Sequence, residues 1–352
     1  MSDIYIEKGN FIPGVIERLM GRYRVHGPVK NGRFHEFSLL KNAAEADLGF
    51  QNTRLSPKEI FHPQAERMFE FSLAKDDPQA GILKEADKDF SPRVVLGIRP
   101  CDAKAFQLDD ANFITETIKD PWWARRREAA TMIGLACDSP CPTCFCTSMG
   151  SGPYDTAGLD VLLVDTGDGY VAEVLSERGE NTLLVTSGWS SVSSSVRASL
   201  ADKKKAAERS IAGTFDPAAI AKREMLELYN SPIWEEVQFA CINCGTCTFV
   251  CPTCWCFDIQ EEVYEDKGER LRMWDSCMFP LFTLHGSGHN PRNQKTQRVR
   301  QRFMHKLKYY QDKYNSGPAC VGCGRCVQAC PVNIDIRQVG RQMASPDCAC
   351  PA

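Results

Sequence analysis

The chain has 352 residues and a formal net charge of −3, with 42 Lys and Arg against 45 Asp and Glu. This balance gives no broad basic field of the kind that attracts nucleic acid or anionic lipid. Residues 1–20 carry several charges and no apolar signal core, and no apolar run is long enough to cross a bilayer. We therefore expect a cytoplasmic protein without membrane insertion, in which the 18 cysteines stay reduced.

The first half has the pattern of an α/β domain. Val94–Ile98 and Met132–Ala136 are short apolar runs, typical of strands buried on both faces of a sheet. Ala103–Ile118 between them has a helical pattern, so the order strand, helix, strand predicts parallel pairing. Further strands are expected at Val161–Val164, Tyr170–Val174 and Thr182–Val185.

A change in composition marks a domain boundary near residue 215. Ser187–Ser195 is rich in serine, and Arg197–Arg209 is dense in Lys and Ala, which favour a solvated helix. Asp216 and Pro217 then give a helix start that is expected to run to about Leu228. The prediction is an α/β domain over residues 1–215 and a second domain over residues 216–352.

Two cysteine runs with identical spacing fall in the second domain. Each has three cysteines separated by two residues and a fourth that precedes a proline, which is the bacterial ferredoxin run. In two-cluster ferredoxins the fourth cysteine crosses to the other [4Fe–4S] cluster. The predicted ligand sets are Cys241, Cys244, Cys247 and Cys330 for one cluster, and Cys320, Cys323, Cys326 and Cys251 for the other. Structural zinc, the alternative, usually shows paired rather than tripled thiols.

The segment between the two runs is too long for a minimal two-cluster ferredoxin. It places Val299, Phe303, Leu307 and Tyr310 on one helical face. The prediction is therefore an α-helical, ferredoxin-like dicluster domain after the α/β domain.

Four further cysteines predict a third [4Fe–4S] cluster. Cys101 and Cys137 each follow one of the two apolar strands, and open α/β sheets bind ligands at the carboxyl ends of their strands. Cys144 and Cys146 lie a few residues beyond Cys137, and Cys141 is a substitute ligand. Small buried thiols that only pack are the alternative.

Cys254, Cys256 and Cys277 form a fourth set. The sequence Cys251-Pro-Thr-Cys254-Trp-Cys256 matches Cys141-Pro-Thr-Cys144-Phe-Cys146 at five of six positions. A further cluster here needs a fourth ligand, for which His285, His289, Cys348, Cys350 or a partner residue are candidates. Free thiols packed near the clusters are an equally open interpretation.

Sites for substrate chemistry are missing from the sequence. It has neither a G-x-G-x-x-G after a strand nor a P-loop. The basic run 292–313 suggests nucleic-acid binding, but its cations can instead offset the charge of anionic clusters, or lie on a solvated helix face. No nucleic acid partner is expected.

Several motifs together resemble a known group. Cys144-Phe-Cys146-Thr-Ser-Met-Gly150, Arg99-Pro-Cys101-Asp, Trp274-Asp-Ser-Cys277 and His285-Gly-Ser-Gly-His289 resemble the beta subunit of sulfhydrogenase-type soluble NiFe hydrogenases. One subunit of anaerobic sulfite reductase and the iron–sulfur subunit of heterodisulfide-reductase-linked flavin oxidoreductases are similar. The resemblance implies an electron-transfer subunit between a flavoprotein partner that oxidises NAD(P)H and a catalytic subunit of hydrogenase, heterodisulfide reductase or sulfite reductase.

Two other functions remain open from the sequence. One is a self-contained reductase with catalysis at a site-differentiated cluster on Cys254, Cys256 and Cys277. The other, less favoured, is an iron–sulfur sensor whose basic run contacts nucleic acid.

Overall fold

A computed structural model describes residues 3–345. Its strands are β1 (Ile4–Glu7), β2 (Arg24–Asn31), β3 (Phe34–Leu39), β4 (Ala65–Ser72), β5 (Lys84–Glu85), β6 (Arg93–Ile98), β7 (Ala130–Leu135), β8 (Val161–Asp165), β9 (Gly169–Val174), β10 (Ser190–Ser191), β11 (Phe257–Tyr264) and β12 (Lys267–Trp274).

The α-helices alternate with these strands in the first half and dominate the second. They are α1 (Lys8–Phe11), α2 (Glu17–Met20), α3 (Pro100–Phe113), α4 (Pro121–Glu128), α5 (Glu177–Leu183), α6 (Ser194–Arg209), α7 (Pro217–Ala221), α8 (Met225–Tyr229), α9 (Ile233–Phe239), α10 (Thr246–Phe249), α11 (Lys295–Met304), α12 (Tyr310–Tyr314), α13 (Arg325–Gln328) and α14 (Ile336–Ala344). None of the helices within residues 3–345 is long and apolar enough to span a membrane.

An eight-stranded mixed sheet forms the first half, in the order β10-β1-β9-β8-β7-β6-β2-β3. The strands β2, β6, β7 and β8 pair in parallel, as the order strand, helix, strand predicts for β6, α3 and β7. Both faces of these central strands are buried: Val94 and Leu96 pack on one side, and Val95 and Ile98 on the other. The first half is therefore a sheet-rich α/β region.

Local capping explains where the expected elements and the structure differ. The expected helix 103–118 is α3, which ends at Phe113, before the isolated bridge between Ile114 and Lys119. The strand expected at Thr182–Val185 is wrong, because α5 occupies Glu177–Leu183. Its N-cap Ser176 accepts a hydrogen bond from the amide of Gly179 at 3.1 Å.

The helix that Asp216 begins is shorter than expected. Asp216 accepts a hydrogen bond from the amide of Ala218 at 2.9 Å, as its N-cap position predicts. The helix ends at Ala221, however, and a second short helix, α8, follows after a break. The expectation of one continuous helix to about Leu228 is wrong.

A second sheet joins the two halves of the chain. Its order is β11-β12-β4-β5, so the hairpin β11–β12 from the dicluster region pairs with β4 from the first half. The predicted α-helical character of this region is not confirmed, because the segment between the cysteine runs contains this hairpin as well as helices. The boundary near residue 215 stays a prediction.

The helices of the dicluster region share one apolar core. Helix α11 continues through a π-helical turn, His305–Tyr309, into α12. Val299, Phe303, Leu307 and Tyr310 are buried along this continuous segment, as the helical spacing predicts. They form the inner face of the segment, beside the cysteine runs.

Candidate metal centres

The first ferredoxin-type set of thiols lines one cavity. Cys241, Cys244 and Cys247 approach it from the loop before α10 and from α10 itself, and Cys330 approaches from the end of the second run. Cys326 also lines this space, which we name the first cavity. Cys244 is exposed, so the first cavity reaches the protein surface.

The second set lines a neighbouring space, the second cavity. Its thiols are Cys251, Cys320, Cys323 and Cys326, with Arg302 and Lys306 beside them. Cys251 therefore lies with the second run rather than with its own, and Cys330 lies with the first run. This is the crossed arrangement that the sequence spacing predicts.

The thiols at the ends of β6 and β7 meet in a third cavity. Its thiols are Cys101, Cys137, Cys141, Cys144, Cys146 and Cys323. Because β6 and β7 are adjacent and parallel, the segments after them emerge at the same sheet edge. Arg99 fixes that edge: its Nη1 donates to the carbonyl oxygens of Ala136 at 2.6 Å and Leu135 at 3.2 Å.

The three cavities form a series through shared cysteines. Cys326 lines the first and second cavities, and Cys323 lines the second and third. The order first, second, third thus runs from the exposed Cys244 into the α/β region.

Two glycines allow the second run to approach the third cavity. Gly322 has φ +66°, and a Cβ there would lie 2.5 Å from the amide nitrogen of Cys146. Gly324 has φ +74°, and its Cβ would lie 2.5 Å from the carbonyl oxygen of Thr143. The amide of Phe145 also donates to the carbonyl oxygen of Gly322 at 2.8 Å. A side chain at either glycine would separate the two loops.

Arg302 provides a test of whether these residues fit anionic clusters. It is 3% exposed, and its Nε and Nη1 find no hydrogen-bond partner among the described residues. It lines both the first and the second cavity. Burial alone would lower the pKa of Arg302, but Cys254 and Cys247 raise it well above its usual range. A buried cation with free donors at two thiol-lined cavities fits an anionic group such as a tetrathiolate cluster.

The fourth set of thiols lies beside the second cavity. The thiol of Cys277 hydrogen-bonds to Cys256, and this bond, opposed by burial, lowers the pKa of Cys256 to about 6. The thiol of Cys254 hydrogen-bonds to Cys251, a residue of the second cavity. Cys254, Cys256 and Cys277 are thus brought together, as the sequence predicts.

Buried cations surround the fourth set. Lys58, from the first half of the chain, donates through Nζ to the carbonyl oxygen of Cys254 at 2.7 Å. Lys306 donates to the hydroxyl of Thr253 at 2.9 Å. Burial lowers the pKa of Lys58 and raises that of the carboxyl group of Asp109, which is 0% exposed. Sequence reasoning missed Lys58, because 196 residues separate it from Cys254.

The histidines named as candidate fourth ligands lie together on an exposed loop. The ring centroids of His285 and His289 are 5.4 Å apart, and both residues are exposed. Cys348 and Cys350 lie outside the described residues, so the fourth ligand at this set stays a prediction.

Much of the basic run turns inward. Arg298, Arg302, Lys306 and Lys308 are all buried. Lys308 donates to the carbonyl oxygen of Ala221 at 2.8 Å and forms an ion pair with Asp312 at 3.1 Å. These cations are therefore not available on a surface for nucleic acid, and two of them face the thiol-lined cavities.

Comparisons with known proteins agree with this geometry. Residues 240–334 match the family described as 4Fe-4S dicluster domain, so this part of the chain is an iron–sulfur domain of the two-cluster type. The chain is also 29% identical over 328 residues to sulfhydrogenase 2 subunit beta of Pyrococcus furiosus, covering 92% of this chain and 93% of that protein. The resemblance to a hydrogenase beta-type iron–sulfur subunit is confirmed. No solved structure is significantly similar to the chain.

Proposed function

We propose that the chain is the electron-transfer subunit of a hydrogenase-type enzyme complex and holds three [4Fe–4S] clusters in series. The proposed ligands are Cys241, Cys244, Cys247 and Cys330; Cys320, Cys323, Cys326 and Cys251; and Cys101, Cys137, Cys144 and Cys146. The observation that carries the proposal is the sharing of Cys326 and Cys323 between successive cavities. When bound, clusters of this type supply one-electron steps.

The protein's own residues would hold and tune these groups. The cysteines provide the thiolates, and the buried helical core and sheet exclude water from the second cavity, where Cys323 is 9% exposed. Arg302 and Lys306 place positive charge beside the second cavity. Burial and nearby charge are two of the properties that set cluster potentials.

The proposed partners are a flavoprotein that oxidises NAD(P)H and a catalytic subunit. The similarity to a sulfhydrogenase beta subunit favours a hydrogenase as that catalytic subunit, over a heterodisulfide reductase or sulfite reductase. The absence of a G-x-G-x-x-G after a strand supports a separate nicotinamide-oxidising protein.

Metal analysis and reconstitution test the proposal. Anaerobically prepared chain should contain about twelve irons, four for each cluster. It should oxidise NAD(P)H only after the flavoprotein partner is added. Cys323→Ala should stop electron transfer through the chain, while the flavoprotein still reduces an artificial dye. About eight irons in the wild-type chain would reject the third cluster and leave the ferredoxin-type pair.

A second candidate function is a self-contained reductase at the fourth set of thiols. The observation that favours it is the grouping of Cys254, Cys256 and Cys277 beside Lys58 and Lys306, outside the three cavities. The isolated chain, reduced chemically, should then reduce sulfite, a disulfide or protons at enzyme-like rates. Inactivity of the isolated chain, with activity only in the complex, would leave the relay.

A further inference from the structure

The outer strand of the second sheet is long, regular and uncovered. Strand β11 pairs with β12 without interruption from Phe257 to Tyr264. Within residues 3–345 no strand or loop pairs with its other side. Every residue from Asp258 to Tyr264 is exposed. An eight-residue edge of this kind is a template for a further strand, and proteins usually shorten, kink or cover such edges.

The side chains of β11 define the strand that fits. Successive residues point to opposite faces of a sheet. Ile259 and Val263 share one face and are 48% and 53% exposed. Asp258 and Glu262 share the other face and are also exposed. A complementary strand therefore has apolar residues next to Ile259 and Val263, and Lys or Arg next to Asp258 and Glu262.

Charge excludes the two occupants that this chain could supply. A second copy of β11 would place carboxylates beside carboxylates, which destabilises strand pairing. Residues 346–352, the C-terminal segment outside the described part, contain no Lys or Arg.

The position of the hairpin links this edge to the thiols. Strand β11 begins directly after Cys256, and β12 ends at Trp274, three residues before Cys277. The amide of Asp275 donates to the carbonyl oxygen of Cys256 at 2.9 Å, which closes the base of the hairpin. A strand added to β11 would thus begin or end beside the fourth set of thiols.

We propose that β11 is the docking edge for a basic, alternating strand from another subunit of the enzyme complex. The added strand extends the sheet by β-augmentation, in which main-chain hydrogen bonds supply affinity and alternate side chains supply specificity. The inference goes beyond the proposed function, because it requires no particular number of clusters.

Hydrogen–deuterium exchange of the native complex tests this inference. The complex is purified anaerobically at low salt from the source organism, through a tag on this chain, and compared with the isolated chain. Amides within residues 258–264 should exchange at least tenfold more slowly in the complex, while those of the exposed helix α6 stay unchanged. Equal exchange of residues 258–264 in both samples, or purification of the chain without another subunit, would overturn the proposal.

Charge reversal provides the matched variants. Asp258→Lys combined with Glu262→Lys should reduce the recovery of the complex at least tenfold, and raised salt should weaken the wild-type complex in the same direction. Glu17→Lys combined with Glu116→Lys makes the same change at exposed positions elsewhere and should leave recovery unchanged. Equal recovery of both double variants, or slow exchange of residues 258–264 in a homodimer of the isolated chain, would also reject the proposal.

Iron content separates this inference from the proposed function. If the wild-type chain holds its full iron and β11 stays unprotected in the complex, only the docking edge is wrong. If β11 is protected but iron is low, only the cluster assignment is wrong.

Discussion

Arg325 binds both carboxylate oxygens of Asp102, with Nη1 to Oδ1 at 2.5 Å and Nη2 to Oδ2 at 2.7 Å. Asp102 follows Cys101 of the third cavity, and Arg325 lies between Cys323 and Cys326 of the second cavity. Both side chains are buried, and Arg325 also donates through Nε to the carbonyl oxygen of Thr53 at 2.9 Å. This ion pair therefore fixes the dicluster region against the α/β region at the point where two cavities meet.

Removing one partner of this pair should destabilise the whole molecule. Arg325→Met leaves the carboxylate of Asp102 buried and unpaired, which is expected to reduce the free energy of unfolding by about 3–5 kcal/mol. Anaerobic denaturation with guanidinium measures the change. The double variant Arg325→Met with Asp102→Leu should recover much of the loss, because an apolar pair leaves no unpaired buried charge.

Lys8 provides a control for the loss of an ion pair. It pairs with Asp165 at 2.9 Å on the surface, with 47% of its side chain exposed. Lys8→Met should leave stability near that of the wild type. If Arg325→Met behaves like Lys8→Met, the pair does not hold the two regions together.

Crossed ligation makes a prediction for Cys251. Cys251→Ala should remove the cluster of the second cavity and keep that of the first, although Cys251 belongs to the first cysteine run. EPR spectra of the reduced protein should lose the coupling between two S = 1/2 centres, and iron should fall by about four. Cys244→Ala is the matched variant, and it should affect the first cavity instead. Loss of the first centre in the Cys251 variant would falsify the crossed assignment.

The thiol sets that the sequence predicts are those where local spacing decides the geometry. The ferredoxin-type runs place three thiols on one short turn and helix, and the structure groups them in the expected cavities. The grouping of Cys101 with Cys137 followed from one further step, namely that Val94–Ile98 and Met132–Ala136 are adjacent parallel strands. Short-range patterns with one long-range assumption were sufficient there.

The features that the sequence did not predict depend on distant residues. The pair Arg325 and Asp102 spans 223 positions, and neither residue has a pattern that marks its partner. The hairpin β11–β12 was missed because β11 is charged and exposed and lacks the alternation of a half-buried strand. Its pairing with β4 stabilises it, which is a tertiary effect that overrides propensity.

The third cavity contains more thiols than one cluster needs, so the ligands are testable by substitution. Cys137→Ser should lower iron by about four per chain, because it removes a proposed cubane ligand. Cys141→Ser should keep full iron if Cys101, Cys137, Cys144 and Cys146 are the ligands. Iron analysis of both variants, prepared anaerobically in parallel, distinguishes the sets. Iron loss with Cys141→Ser and none with Cys137→Ser would show that Cys141 is the ligand.

Burial of His26 predicts acid sensitivity of the α/β region. Burial, and then Arg93 and Arg24, lower the pKa of His26 to about 4, and its Nε2 has no partner among the described residues. An unfolded histidine titrates near about 6.5. Between these values the unfolded chain binds more protons, so this contribution is present above about pH 6.5 and is lost as the pH falls towards 4.

Replacing His26 should reduce that pH dependence. The wild type should lose about 2 kcal/mol more than His26→Leu between pH 7 and pH 5, in anaerobic denaturation experiments. His289→Leu, on an exposed loop, should leave the pH dependence as in the wild type. An identical pH dependence for His26→Leu and the wild type would show that His26 does not contribute to the acid sensitivity.

Arg302 should tune the potentials of the first two proposed clusters. Its buried guanidinium lines both cavities and donates through Nη2 to the carbonyl oxygen of Cys247 at 3.0 Å. Reduction adds negative charge, which a nearby cation stabilises, so Arg302→Gln should shift both potentials to more negative values. A shift of about 60 mV corresponds to a tenfold change in a one-electron equilibrium, and at least that is expected for a buried charge. Redox titration followed by EPR measures it, and Arg300→Gln, which removes a cation over the ring of Tyr229 on the same helix, is the control. A shift of equal size in both variants would mean that overall charge, rather than the position of Arg302 between the cavities, sets the potentials.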